Sequence, residues 1–136
     1  MNRHYPSMTT ELWLLFTSLP IYGLYLGAQS LLYRWHHGLM YAQTARDDEA
    51  KPSVELARAE RALRNYHETW PAFTILLLIA HLAHRGDALV FWGAIVWLVS
   101  RVFYLPLYIG GVFGVRSLVW FVGALGLFAM FVGILF

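Results

Sequence analysis

The chain divides into four long apolar stretches separated by polar segments of very unequal length. The first covers 12–35 and carries no charge until Arg34; the second begins near Tyr66 and runs to Ala83. A third covers 88–111, interrupted only by Arg101, and the last covers 117–136 with no charged residue. About 20 apolar residues in a helix cross roughly 30 Å of hydrocarbon, and in lipid only helices or closed barrels satisfy the backbone. None of the stretches alternates as a barrel strand must. The pattern predicts an all-α integral membrane protein, a bundle of four transmembrane helices in one domain, 1–136. The expected helices are about 12–35, 54–83, 88–109 and 117–136, with a loop at about 36–53. That polar segment holds Asp47, Asp48, Glu49 and Lys51; Lys51-Pro52-Ser53 reads as a break and helix start. By contrast, His84-Arg85-Gly86-Asp87 reads as a tight turn and 110–115 as a short glycine-rich one.

Composition sharpens this picture. Of 136 residues, 59% are hydrophobic and only 13% charged, against about 25% charged in a soluble domain. A chain this short cannot hide so much apolar surface in one aqueous core. It has no cysteine, which rules out disulfides, thiolate metal sites and a protein-borne thiol nucleophile. The formal charge of +2 is too small to argue for nucleic acid as a partner. The basic residues have a topological meaning instead. Arg34, Arg46, Lys51, Arg58, Arg61, Arg64, Arg101 and Arg116 fall toward the side of the long segment, and only Arg3 and Arg85 fall opposite. By the positive-inside rule both termini should be outside, with the long loop and the 110–115 turn cytoplasmic. The first stretch is too long for a signal peptide and no A-x-A site follows it, so it reads as a helix. Brevity and the lack of a retention signal favour a bacterial inner membrane.

Polar residues inside such helices point to sites, because a charge near the bilayer centre costs about 2.5–3.5 kcal/mol even on a lenient scale. In the second helix Arg58, Arg61, Asn65, Glu68 and Ala72 recur at one-face spacing, with Arg64 beside them. Fixed cations, an amide and one carboxylate suit a small zwitterion with several carboxylates. The competing interpretation is an interfacial ladder joining Arg64 to Glu68. In the third helix Arg101, Tyr104 and Tyr108 share a face; tyrosines alone would suggest an aromatic belt. Arg101 needs a partner, and Glu68 is the carboxylate expected at its depth. Arg116-Ser117 opens the fourth helix, where backbone N–H groups favour anions, although a flanking cation there also obeys the charge rule. Arg34 is ambiguous in the same way. Gly23 and Gly27 form a G-x-x-x-G pair, expected to permit close helix packing, and Pro20, Pro71 and Pro106 should bend their helices. His67 and His81 lie 14 residues apart on one face, as stacked haem ligands can. Their partners would have to come from His36 or His37 on one side and His4 or His84 on the other.

Residues 61–73 read R-A-L-R-N-Y-H-E-T-W-P-A-F. This run resembles the helix-2 signature of the MAPEG family, the membrane-associated proteins of eicosanoid and glutathione metabolism. The Arg101/Tyr104/Tyr108 face and Arg116-Ser117 are similar to that family as well. The resemblance implies four-helix subunits assembled as homotrimers, with glutathione as co-substrate held between subunits near the cytoplasmic face. It implies that Arg64 and Asn65 hold the peptide backbone and carboxylates, and that Glu68 meets its amino group or backbone. Tyr104 and Tyr108 would line the peptide site, the first being histidine in some members. Arg61, Ser117 and, more loosely, Arg34 match family positions, and Arg116 matches the arginine credited with stabilising the thiolate. The implied activity is addition of glutathione to a lipophilic electrophile that enters from the membrane lipids, or reduction of a lipid hydroperoxide. A non-catalytic membrane subunit of a larger complex is the alternative, and a haem-binding protein the more distant one.

Overall fold

The computed structural model describes residues 7–45, 47 and 51–136. Arg3, His4, Arg46, Asp48 and Glu49, which the charge count, the haem reading and the polar segment invoked, lie outside the described residues. The chain forms four helices: α1 (Thr10–His37), α2 (Val54–Leu82), α3 (Ala88–Ile109) and α4 (Val115–Leu135). A short 3-10 turn, Tyr41–Gln43, follows α1, and the described residues contain no strand. By length and composition, α3 and α4 are apolar enough to cross a membrane. The other two helices are longer, at 28 and 29 residues, but they mix polar groups into their apolar runs.

Local chemistry sets the helix ends. The Ser53 hydroxyl accepts from the Leu56 amide at 3.2 Å, and Asp87 Oδ1 accepts from the Val90 amide at 2.8 Å. Both satisfy donors that the first turn leaves free. Gly38, at φ +88°, ends α1, where a side chain would be strained. Gly114, at φ +78°, lets α4 begin at Val115 rather than at 117. Arg116 therefore sits within the first turn of α4. Pro20, Pro71 and Pro106 all lie inside helices, as expected.

The core lies along one stripe of each helix. On α2 it is Leu56, Ala59, Ala62, Tyr66, Phe73, Leu77 and Ala80, all nearly or fully buried. Phe73 stacks on Trp97 of α3 with centroids 4.1 Å apart. The α1–α2 seam is built from polar atoms set in aromatic surroundings. The Tyr66 hydroxyl donates to the Ser18 carbonyl at 2.8 Å, Trp70 Nε1 donates to the Ser18 hydroxyl at 2.9 Å, and Tyr22 stacks against both rings. Burying a hydroxyl or indole N–H without a partner is costly, so these bonds fix how the two helices meet.

Helices α3 and α4 approach each other backbone to backbone. A Cβ on Gly93 would stand 2.6 Å from the carbonyl oxygen of Gly126, and a Cβ on Gly126 would stand 2.6 Å from that of Gly93. The G-x-x-x-G pair on α1 does not pack this way: nothing lies within 4 Å of a Cβ placed on Gly23 or Gly27. The reason is rotational. The inward face of α1 is Leu14, Ser18, Ile21 and Tyr25, and the two glycines fall off it. Outward, Trp13, Phe16, Phe103, Phe121 and Phe128 are exposed, an apolar surface of the kind that lipid covers.

Candidate functional site

At the end of the bundle bearing the α3–α4 turn, α2, α3 and α4 enclose an open cleft of about 260 Å³. Its lining is Asn65, Tyr104, Tyr108, Arg116, Ser117 and Trp120. Five of these come from the residues singled out in the sequence, contributed by three helices. Trp120 was missed, although it lies one turn beyond Arg116 and so on the same side of α4.

Two tyrosine rings lie between two guanidinium groups in the site. The Arg116 guanidinium lies 4.7 Å from the Tyr108 ring centroid, Tyr108 lies 5.3 Å from Tyr104, and the Arg101 guanidinium lies 5.0 Å from Tyr104 on the interior side. Each cation therefore meets the negative face of a ring. Among the described residues no carboxylate lines the cleft. Its polar groups are hydroxyls, an amide, an indole and a guanidinium, and the only full charge among them is positive. Such a set fits a ligand rich in acceptor oxygens and bearing negative charge.

Arg101 departs from expectation. It is fully buried, and its partner is Asn65 rather than Glu68: Nη1 donates to Asn65 Oδ1 at 2.8 Å. Nε points to the Ser100 hydroxyl at 3.4 Å, and the guanidinium also lies 5.7 Å from the Trp97 ring centroid. Glu68 lies on the same stripe of α2 as Asn65 but is exposed, and no ion pair joins it to Arg101 among the described residues. Arg101 is thus an interior residue and not a charge flanking the membrane. Tyr25 of α1 secures the same turn from behind, its hydroxyl donating to the Arg101 carbonyl at 2.6 Å.

The rest of the α2 stripe splits. Arg58 turns to α3, where Nη1 donates to the Ile109 carbonyl at 3.1 Å. A cation at a helix C-terminus is favourable there, so Arg58 serves as a cap. Arg61, Arg64 and Glu68 are exposed and do not line the cleft. Among the described residues no ion pair joins Arg64 to Glu68, so the competing interpretation, an interfacial ladder, does not form. Arg34 is also exposed and lines a separate hollow of about 150 Å³ beside the 3-10 turn.

The histidines of the haem reading are engaged elsewhere. His67 Nε2 lies 3.1 Å from the Tyr22 hydroxyl, and His81 Nδ1 lies 3.0 Å from the Thr9 hydroxyl and 4.0 Å from Glu11 Oε2. His36 Nε2 lies 3.1 Å from the Lys51 carbonyl. The first two contacts tie α2 to α1 and its N-terminal flank. Among the described residues no group of three or more His, Asp or Glu is arranged to hold a metal ion.

No curated protein and no solved structure matches the chain. The model of the MAPEG family does, over residues 11–136, which take in all four helices and every residue of the cleft. The chain belongs to the MAPEG family.

Proposed function

We propose that this protein is a glutathione-dependent membrane transferase or peroxidase. The observation that carries the proposal is the cleft itself: a carboxylate-free set of donors with Arg116 in the first turn of α4, stacked on Tyr108. Family membership agrees with a glutathione- or eicosanoid-related membrane role. In this reading Asn65, Tyr104, Tyr108 and Ser117 hold the peptide, and Arg116 faces its sulfur. A guanidinium beside the thiol favours the thiolate. The thiolate then attacks an electrophilic carbon to form a thioether, while the thiol proton passes to solvent or the leaving group. With a lipid hydroperoxide, two glutathione molecules give their disulfide, an alcohol and water. Holding the peptide makes the attack effectively unimolecular.

The proposal includes a homotrimer. Arg61, Arg64 and Glu68 are exposed beside the cleft without pairing among themselves, so they are available to a ligand held between copies. It also places all four helices across a membrane, bacterial inner membrane in the first instance, with the 110–115 turn cytoplasmic.

The test is thermal unfolding of the detergent-purified protein with and without glutathione, alongside Arg64→Ala. Ligand at about 100 times its dissociation constant adds roughly 2.7 kcal/mol. A shift in the wild type that disappears in Arg64→Ala supports the peptide site. No shift at millimolar glutathione overturns it and leaves a family member that is a non-catalytic subunit.

A further inference from the structure

The Arg101–Asn65 pair lies behind the cleft and has a consequence inside it. Arginine has five N–H donors and no acceptor. The atom of Asn65 that meets Nη1 at 2.8 Å is therefore its carbonyl oxygen. An asparagine amide is planar, with its oxygen and nitrogen on divergent bonds from one carbon, so committing the oxygen to Arg101 turns the nitrogen away from the guanidinium. Asn65 lines the cleft, and that nitrogen, with two donors, is what it has left to offer there.

The guanidinium has little freedom to release this grip. It is fully buried, with the Tyr104 and Trp97 rings at 5.0 and 5.7 Å. On the α4 side it is closed off by the backbone of Gly123, where a Cβ would stand 2.7 Å from Nη2. Among the described residues Nη2 has no hydrogen-bond partner. The cation is thus not neutralised by a carboxylate, and its charge strengthens the amide it polarises.

We propose that Arg101 is a positioning residue: by holding the Asn65 carbonyl oxygen it turns the amide nitrogen into the cleft and makes that point selective for a carboxylate or carbonyl oxygen of the ligand. The inference rests on the glutathione reading for the identity of the ligand, while the orientation of Asn65 stands apart from it. A free asparagine could flip and accept equally well, and Arg101 removes that choice.

The test is a double-mutant cycle with reduced glutathione as the probe, read by calorimetry on the full chain in detergent. Arg101→Gln, whose amide can accept as well as donate, should weaken binding about tenfold, the scale of one hydrogen bond to a charged group. In an Asn65→Ala background the same change should cost nothing further, because the group it positions is gone. Arg101→Lys, still donor-only, should bind within about threefold of wild type. Equal losses in both backgrounds, or a lysine variant as weak as the glutamine one, overturn the proposal, because Arg101 would then act independently of Asn65 or through the shape of its side chain. If the wild type binds no glutathione the functional reading fails, and the orientation is read instead from the side-chain amide protons of Asn65 by nitrogen-15 NMR. Rapid exchange with water in the wild type, slowed in Arg101→Gln, upholds it. A slowly exchanging wild-type amide, meaning the nitrogen faces inward, overturns it.

Discussion

A methyl group added at Gly93 or Gly126 would run into the backbone of the opposite helix, whereas one added at Gly23 would meet nothing within 4 Å. The two substitutions should therefore have opposite signs. Gly93→Ala and Gly126→Ala force α3 and α4 apart and should cost about 1–3 kcal/mol. Gly23→Ala should leave the fold unharmed or gain up to about 1 kcal/mol from helix propensity. Unfolding in detergent, followed by circular dichroism, separates these outcomes; a loss at Gly23 as large as at Gly93 would contradict the packing described. The sequence drew the eye to the wrong pair. A G-x-x-x-G spacing shows that two small residues share a face but not what stands opposite, and Gly93 has no such partner on its own helix. At Arg116 the expectation concerns chemistry. Arg116→Ala should lower turnover far more than glutathione affinity, since its assigned role is on the thiolate. Parallel losses in both would instead assign it to binding.

Two stripes on α2, more than a third of a turn apart at about 100° per residue, divide the labour of that helix. Leu56, Ala59, Ala62 and Tyr66 face the core, while Arg58, Arg61, Asn65 and Glu68 follow the other line. Both lines can be read from spacing. What spacing does not give is the rotation of one helix against its neighbours, and that rotation assigns the partners. It directs Arg58 onto the end of α3 and Asn65 onto Arg101, and it leaves Glu68 outside. Arg58→Ala should therefore destabilise the protein by about 1 kcal/mol, through loss of the cation at the α3 C-terminus. Arg61→Ala, exposed on the same stripe, should stay within about 0.5 kcal/mol of wild type. Paired chemical or thermal unfolding of the two variants checks the difference. Equal effects would mean that the stripe acts as a unit after all.

Across the molecule, the element count and most helix ends were legible because long apolar runs, Ser53, Asp87 and the glycines at the turns are local signals. The cleft was legible only as a set of residues. Its wall Trp120 and the aromatic faces around Arg101 depend on three helices meeting. The proposed orientation can be tested with the chain as it is, because it contains no cysteine. Ala45→Cys and His84→Cys are both at exposed positions on opposite sides of the proposed span. A membrane-impermeant maleimide applied to intact cells should label the second and reach the first only after the membrane is opened. The reverse pattern would invert the topology.

Burial of Arg101 also orders the making of the protein. In the proposed four-span arrangement, an arginine in the middle of a helix entering the bilayer costs about 2.5–3.5 kcal/mol on insertion scales, and the chain is synthesised from its N-terminus. When α3 leaves the ribosome, Tyr25 and Asn65 have already been made and can receive it. Gly123, which closes the last side of the guanidinium's chamber, has not. In that arrangement the third helix would enter the membrane with its charge half-sheltered, and its chamber would close only when the fourth arrives. A nascent chain stalled before α4 should be the form that quality-control proteases recognise.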